Sequence, residues 1–246
     1  MNIFYLEHNN IWVDAGFFIN KNIMNIIVIS LKRAINRRKK IEEQLSKLNI
    51  TATIMDAVDS ENLTDEQKNK KIHLPNGYRL GETFKPGEIA CSMSHINALK
   101  IAQKNSWPYL IVLEDDVVLA EDFEKRIIFL FRILPAFWEH IYLSGIPRIG
   151  FGTPPNLQLL NIVPSIFTEC THSMIIRNTV YQKVINKLSK FETTTDDMYN
   201  SMISSKELQS FTYYPFVTYA NDDYTYIWDQ QITRVHKSKQ YFKNII

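Results

Sequence analysis

The chain has 246 residues, of which 45% are hydrophobic and 22% charged, which suits a globular protein with a sizeable core and excludes a disordered chain. A formal net charge of +2 gives no overall argument for nucleic-acid binding, and two cysteines, Cys91 and Cys170, exclude a disulfide scaffold or an all-cysteine metal site. No uncharged apolar run approaches the length that spans a bilayer, and the N-terminus lacks the ordered regions of a signal peptide, so a cytoplasmic protein is expected.

Residues 1–23 read as an extension ahead of the domain proper, which is expected over 24–235. The first core strand is predicted at 25–30, NIIVIS. The following LKRAINRRKKIEEQLSKL places Leu31, Ile35, Ile41, Leu45 and Leu48 on one stripe and reads as a helix. ATIMDAV is a second strand, and strand, helix, strand favours a parallel αβα arrangement. Residues 59–86 are a polar insert with a short helix over 64–71 and a loop at HLPNGYRLG.

Pro86 and Gly87 lead into the helix GEIACSMSHINALKIAQKN, whose Ile89, Met93, Ile96 and Leu99 face a core. Glu88, Cys91 or Ser92, and His95 share another face. The strand YLIVLEDD follows, then a helix over 123–134 and a strand at HIYLSG. The Gly/Pro-rich IPRIGFGTPPNLQLL reads as a loop. FTECTHSMIIR is predicted as a strand and VYQKVINKL as a helix. FETTTDDMYNSMISS holds another helix, capped by Thr195, Asp196 or Asp197. A β-prone SFTYYPFVTYAND precedes a basic, aromatic tail at 236–246 that suits peripheral contact with the inner face of the cytoplasmic membrane.

The acids of YLIVLEDD carry the functional question. With β geometry sustained, Glu114 and Asp116 face one way and Asp115 the other, with the first pair's Cα atoms about 6.5 Å apart. Sites in open α/β sheets lie beyond the carboxyl ends of strands, and carboxylates gathered there call for a divalent cation or donors. Capping and solvation of the acids is the competing reading. Glu121 and Asp122 read only as first-turn residues of the next helix.

Three blocks carry a resemblance: IIVISLKRAINRRKKIEEQLSKLNI, GEIACSMSHINALKIAQKN with YLIVLEDDVVLAEDF, and THSMIIRNTVYQKVINKL with TTTDDMY. Together they resemble glycosyltransferase family 25. The resemblance implies an α/β, GT-A-like nucleotide-sugar-binding fold with a mostly parallel central sheet, in a variant or incomplete form. It implies inverting transfer of galactose or glucose from a UDP-sugar to a lipooligosaccharide or other saccharide or lipid-linked acceptor, with Mn2+ or Mg2+ as cofactor. It places the metal at Asp116 and Glu114, with Asp115 orienting the donor. It matches Ser30, Arg33 and Arg37 to donor-binding positions, Arg33 and Arg37 sharing a helical face while Arg38 points elsewhere. Glu88 and His95 match recurring polar positions of the donor cleft. Asn36 stands where relatives often have an acid.

Asp197 or Asp196 is the candidate base, with His172 a further cleft candidate, and Asp222 and Asp223 close the rim. Cys91 reads as a small packed hydrophobe. A metal-dependent phosphoryl hydrolase or transferase, and a catalytically inactive saccharide-binding domain, are the alternatives. The first is weakened because the sequence has no GxxxxGK[ST] loop.

Overall fold

The computed structural model describes residues 24–71, 81–147, 162–165 and 167–221, with the backbone of three short strands in the N-terminal extension. These three, β1 (Leu6–Glu7), β2 (Asn10–Val13) and β3 (Phe17–Asn20), pair antiparallel with each other. The expected loop core at 72–80, the segment 148–161, Asp222, Asp223 and the tail at 236–246 lie outside the described residues.

The chain then runs β4 (Ile26–Ser30), α1 (Ile35–Lys47), β5 (Thr53–Asp56), α2 (Asp65–Lys68), α3 (Pro86–Lys104), β6 (Tyr109–Glu114), β7 (Val117–Leu119) and α4 (Phe123–Ile133). It continues through β8 (His140–Tyr142), β9 (Ile146–Pro147), β10 (Ile162–Pro164), β11 (Thr168–Glu169), β12 (Ser173–Arg177), α5 (Tyr181–Leu188), α6 (Thr195–Ser204), β13 (Ser210–Tyr213) and β14 (Thr218–Ala220). Among the described residues the central sheet has seven strands, in the order β10-β13-β8-β12-β6-β4-β5. Following the pairings, β5, β4, β6, β8 and β13 point one way and only β12 and β10 oppose them. The mostly parallel α/β sheet of a GT-A-like fold is therefore present.

Both faces of this sheet are covered, which is why its strands read as unbroken apolar runs. On one face Ile26, Val28, Ile111, Leu113 and Ile141 pack with Ile41 and Leu45 of α1 and with Phe123, Ile127 and Phe131 of α4. On the other, Ile27, Ile29, Leu110, Val112 and Met174 pack with Ile96 and Leu99 of α3, Val184 of α5 and Met198 of α6. The strict alternation along β4 and β6 fixes which helix layer each later side chain meets.

Two expected strands are each interrupted. FTECTHSMIIR divides into β11 and β12 because Cys170 takes a left-handed φ of 76°, which an extended strand does not admit. SFTYYPFVTYAND divides into β13 and β14, and β14 pairs with β7, a strand the acid-flanked VVL did not announce. The helix expected over 64–71 is shorter, Asp65–Lys68, and Thr64 with Gln67 closes its first turn by reciprocal side-chain bonds.

Candidate active site

The site forms where β4 and β6 end side by side. Ile29 pairs with Glu114 across the parallel ladder, so the residues that follow leave the sheet together. Glu114 is the last strand residue, and the alternation that turns Leu113 toward the α1 layer turns Glu114 toward α3. There its Oε1 meets His95 Nε2 at 3.2 Å and accepts from Thr171 Oγ1 at 3.4 Å. Glu114 N–H also donates to the His172 carbonyl at 2.8 Å.

The strand then stops, and this corrects the expected facing of the acids. Asp115 and Asp116 occupy a turn, so Asp116 does not follow Glu114 toward α3. Instead both meet one cation: Arg37 Nη2 lies 2.6 Å from Asp115 Oδ1 and 2.9 Å from Asp116 Oδ2. Ser30 Oγ donates to Asp115 Oδ2 at 2.7 Å in a buried bond. Asp116 Oδ1 is buried and has no hydrogen-bond partner among the described residues.

The two predicted arginines of the first block part company. Arg33 stands two residues before α1 begins, so the helical spacing that would put it beside Arg37 does not apply. It pairs with Asp59 at 2.7 Å and with Glu61 at 3.4 Å on the surface. Arg38 does point away from Arg37. Its Nη2 donates to the Ser30 carbonyl at 2.9 Å and to Asp56 at 2.6 Å, tying the ends of β4 and β5 together. Cations in the first turn of a helix oppose its dipole, and here both Arg37 and Arg38 are held by anions at the strand ends.

Glu88 does not face the cleft as expected. It caps its own helix, accepting from Lys85 N–H at 2.9 Å, and Gly87 borders the cleft instead. His95 is where the second block implied, 1% exposed and bordering the cleft. Cys91, one turn earlier, borders it too, and its Sγ with His95 and Glu114 forms a set whose ligand atoms lie within 4.8 Å of one another.

The later block arrives at the same place. Thr195, the first residue of α6, bonds through Oγ1 to Ser92 Oγ at 2.8 Å and donates to Cys91 Sγ at 3.6 Å. Asp196 accepts from Thr194 Oγ1 at 2.7 Å and from Asp197 N–H at 3.1 Å, so it braces the helix start. Asp197 is half-buried in the same first turn. His172 is buried, and its Nε2 has no hydrogen-bond partner among the described residues. Sequence reasoning missed Thr171, and it named Ser92 only as sharing a helix face with His95 and Thr195 only as a cap, since a hydroxyl's partner across the fold carries no spacing signal.

The cleft itself is open to solvent and has two characters. Ile29, Leu31, Ala57, Val58 and Ala90 give it an apolar wall, and Glu114, Asp115 and Asp116 an acidic one beside Arg37. Burial pushes Asp115 up to about 6 against the pull of Arg37 and Ser30. Burial also raises Asp116, with Arg37 opposing and Glu114 adding to the rise. Burial acts the same way on Glu114, but the His95 hydrogen bond, with the pull of His95, His172 and Arg37 together, outweighs it and holds that carboxyl below its ordinary range. Burial lowers His172, keeping its imidazole neutral, although Asp116 and Glu114 pull the other way. Asp115 and Asp116 share one arginine while Glu114 is met by His95, and the Oδ1 of Asp116, without a hydrogen-bond partner among the described residues, is a ready oxygen ligand for a hard cation.

The family signature described as glycosyltransferase family 25 (LPS biosynthesis protein) matches residues 23–151. The chain belongs to that family. The matched span contains β4, α1, α3, β6 and every residue of the acidic wall. Procollagen galactosyltransferase 2 of Homo sapiens is 28% identical over 218 residues, covering 79% of this chain and 34% of that protein. Inactive glycosyltransferase 25 family member 3 of Mus musculus is 31% identical over 126 residues, covering 48% of this chain and 21% of that protein. The chain thus spans about a third or less of the length of these relatives. Among the described residues no helix is long and apolar enough to cross a membrane.

Proposed function

We propose that this chain transfers a hexose, galactose or glucose, from a UDP-sugar to a saccharide or lipid-linked saccharide acceptor with inversion at the anomeric carbon. The observation that carries the reading is the two-sided cleft at the joint ends of β4 and β6: an apolar wall suited to a nucleoside, beside an acidic wall short of positive charge. Family membership supports a nucleotide-sugar donor and a saccharide acceptor. The glycosyltransferase unit is taken as residues 24–235, acting at the inner face of the cytoplasmic membrane in surface-glycan assembly.

In this reading the donor's base lies on Ile29, Val58 and Ala90, and its diphosphate points toward Asp116. Arg37 fixes Asp115 and the Oδ2 of Asp116, which leaves Oδ1 to hold Mn2+ or Mg2+. When bound, the cation offsets charge on the departing diphosphate. Ser30 and Arg38 act through Asp115 and the strand end, as positioning residues. Asp197, in the first turn of α6 where that helix meets α3, is assigned as the base that takes the proton of the attacking acceptor hydroxyl, while Asp196 holds the turn. The acceptor attacks from the face opposite the nucleotide, which inverts the centre.

A second reading has one observation in its favour: a relative 31% identical is named an inactive family member. It predicts saccharide binding without turnover. A panel of nucleotide-sugars, with and without manganese and with lipooligosaccharide fragments as acceptors, separates the two. Release of UDP coupled to a glycosylated product supports transfer; donor binding absent across the whole panel defeats it.

A further inference from the structure

We infer that this chain carries a second cation site, separate from Asp116, in which Cys91 Sγ, His95 Nε2 and Glu114 Oε1 hold Zn2+ with one coordination position facing the cleft. Cys91 and His95 stand four residues apart on α3, which brings both side chains to one helix face. Glu114 meets that face from the end of β6, so two rigid elements supply the three ligands. Their ligand atoms lie within 4.8 Å of one another. Bonds of about 2.0–2.3 Å to a tetrahedral zinc put ligand atoms about 3.2–3.8 Å apart, so closing the set needs shifts of about 1 Å.

The donor chemistry separates this site from the proposed donor site. A thiolate, an imidazole and a carboxylate suit zinc, whereas Mn2+ and Mg2+ favour oxygen ligands such as Asp116. Charge also balances: thiolate and carboxylate together offset a divalent ion around a neutral imidazole. Each anionic ligand is oriented by a hydroxyl, as zinc ligands commonly are. Thr195 Oγ1 donates to Cys91 Sγ at 3.6 Å, and Thr171 Oγ1 donates to Glu114 Oε1 at 3.4 Å. On binding, the S–H bond of Cys91 breaks, its proton passes to solvent, and the sulfur electron pair forms the bond to zinc; no oxidant or reductant takes part. Cys91, His95 and Glu114 all border the cleft, so the remaining position is open to water or to a bound ligand. The site does not depend on the identity of the sugar donor or on whether the chain turns one over.

Cobalt(II) substitution reads the site directly. The chelator-treated full chain titrated with Co2+ should develop a near-ultraviolet sulfur-to-cobalt charge-transfer band that saturates at one ion per chain. The band should vanish in Cys91→Ser, persist in Cys170→Ser and Asp116→Asn, and need about 100-fold more Co2+ in His95→Gln. A measurement free of substitutions runs beside it: Zn2+ should slow alkylation of Cys91 about tenfold or more, read by peptide mass, and leave Cys170 unaffected. A folded wild-type chain with no band and no protection of Cys91 overturns the proposal, as does a band retained in folded Cys91→Ser. Loss of the band in Asp116→Asn also contradicts it, by merging the two sites. Failure of donor turnover with the band intact removes only the transferase reading.

Discussion

Arg37 reaches Asp115 at 2.6 Å with a side chain only 14% exposed, and the carboxylate it holds is 7% exposed. The same Nη2 holds Asp116 at 2.9 Å. A guanidinium at the start of α1 therefore supports two acids at the end of β6. Removing it leaves buried charge uncompensated, so Arg37→Ala should lower stability by about 3 kcal/mol in urea unfolding. The pH dependence has a definite sign. Asp115, raised to about 6 by burial even with Arg37 present, costs stability when ionised; that cost is full above this value and fades as pH falls from there toward the unfolded carboxyl value of about 3.9. Without Arg37 its pKa rises further. The deficit of the variant should be largest near about pH 8 and shrink toward about pH 5. A deficit constant across that range would place the effect in packing and not in charge.

Ser30 Oγ supplies the other support of Asp115, at 2.7 Å and out of solvent. Ser30→Ala should cost about 2 kcal/mol, the scale for a buried hydrogen bond to a charged group. Thermal unfolding of the variant beside wild type checks this, and an unchanged transition would show that Arg37 alone holds the carboxylate.

The outline of this arrangement was legible in the sequence, and its details were not, for physical reasons. NIIVIS and YLIVLE announced buried strands because both sheet faces are covered, and the acids after Leu113 marked the strand end. The division of labour among those acids depended on where β geometry stops. The turn at Asp115 and Asp116 brings both acids to Arg37, where sustained β geometry would have set them on opposite faces. A similar sensitivity to where an element begins misplaced Arg33, which lies two residues before the helix whose periodicity was applied to it. Glu88 was visible as a polar residue on a helix, yet its position at the third residue of α3 let it cap the backbone instead of facing the cleft. His95 was named on a helix face shared with Cys91 or Ser92, but the contact of Thr195 with Ser92 was not foreseen, since nothing in local periodicity brings residue 195 to residue 92.

His140 is fully buried on the first residue of β8, bonded to Ser210 Oγ through Nδ1 at 2.8 Å and stacked on Tyr199. Burial pushes it down to about 3. The unfolded chain binds a proton at His140 where the folded one does not, so its contribution is present above the unfolded pKa and lost as pH falls below it. Taken alone, this group should remove about 2 kcal/mol between about pH 7 and about pH 5. His140→Gln should flatten that part of the stability profile. A profile of unchanged slope in the variant would assign the acid loss to other groups.

Gly145 lies just after β8 with φ of +154°, and a Cβ there would collide with the Thr168 side chain and approach the Glu169 carbonyl to 3.2 Å. Thr168 is itself clamped by Asn200, which accepts from its N–H at 3.0 Å and donates to its carbonyl at 2.9 Å. The strand therefore has little room to yield, and the segment leads to Thr171 and His172 beside the acids. Gly145→Ala should lower stability by about 1–3 kcal/mol, the range for strain and overpacking. Denaturant titration tests it, and a neutral substitution would mean that β11 moves freely.

The central claim is that Asp116 anchors the cation serving a nucleotide-sugar donor in this cleft. Its most direct test is manganese-dependent transfer by wild type and by Asp116→Asn, with folding of both verified by circular dichroism. The account predicts transfer by wild type and a loss of about 100-fold or more in the variant. Equal manganese-dependent turnover in both chains would contradict it.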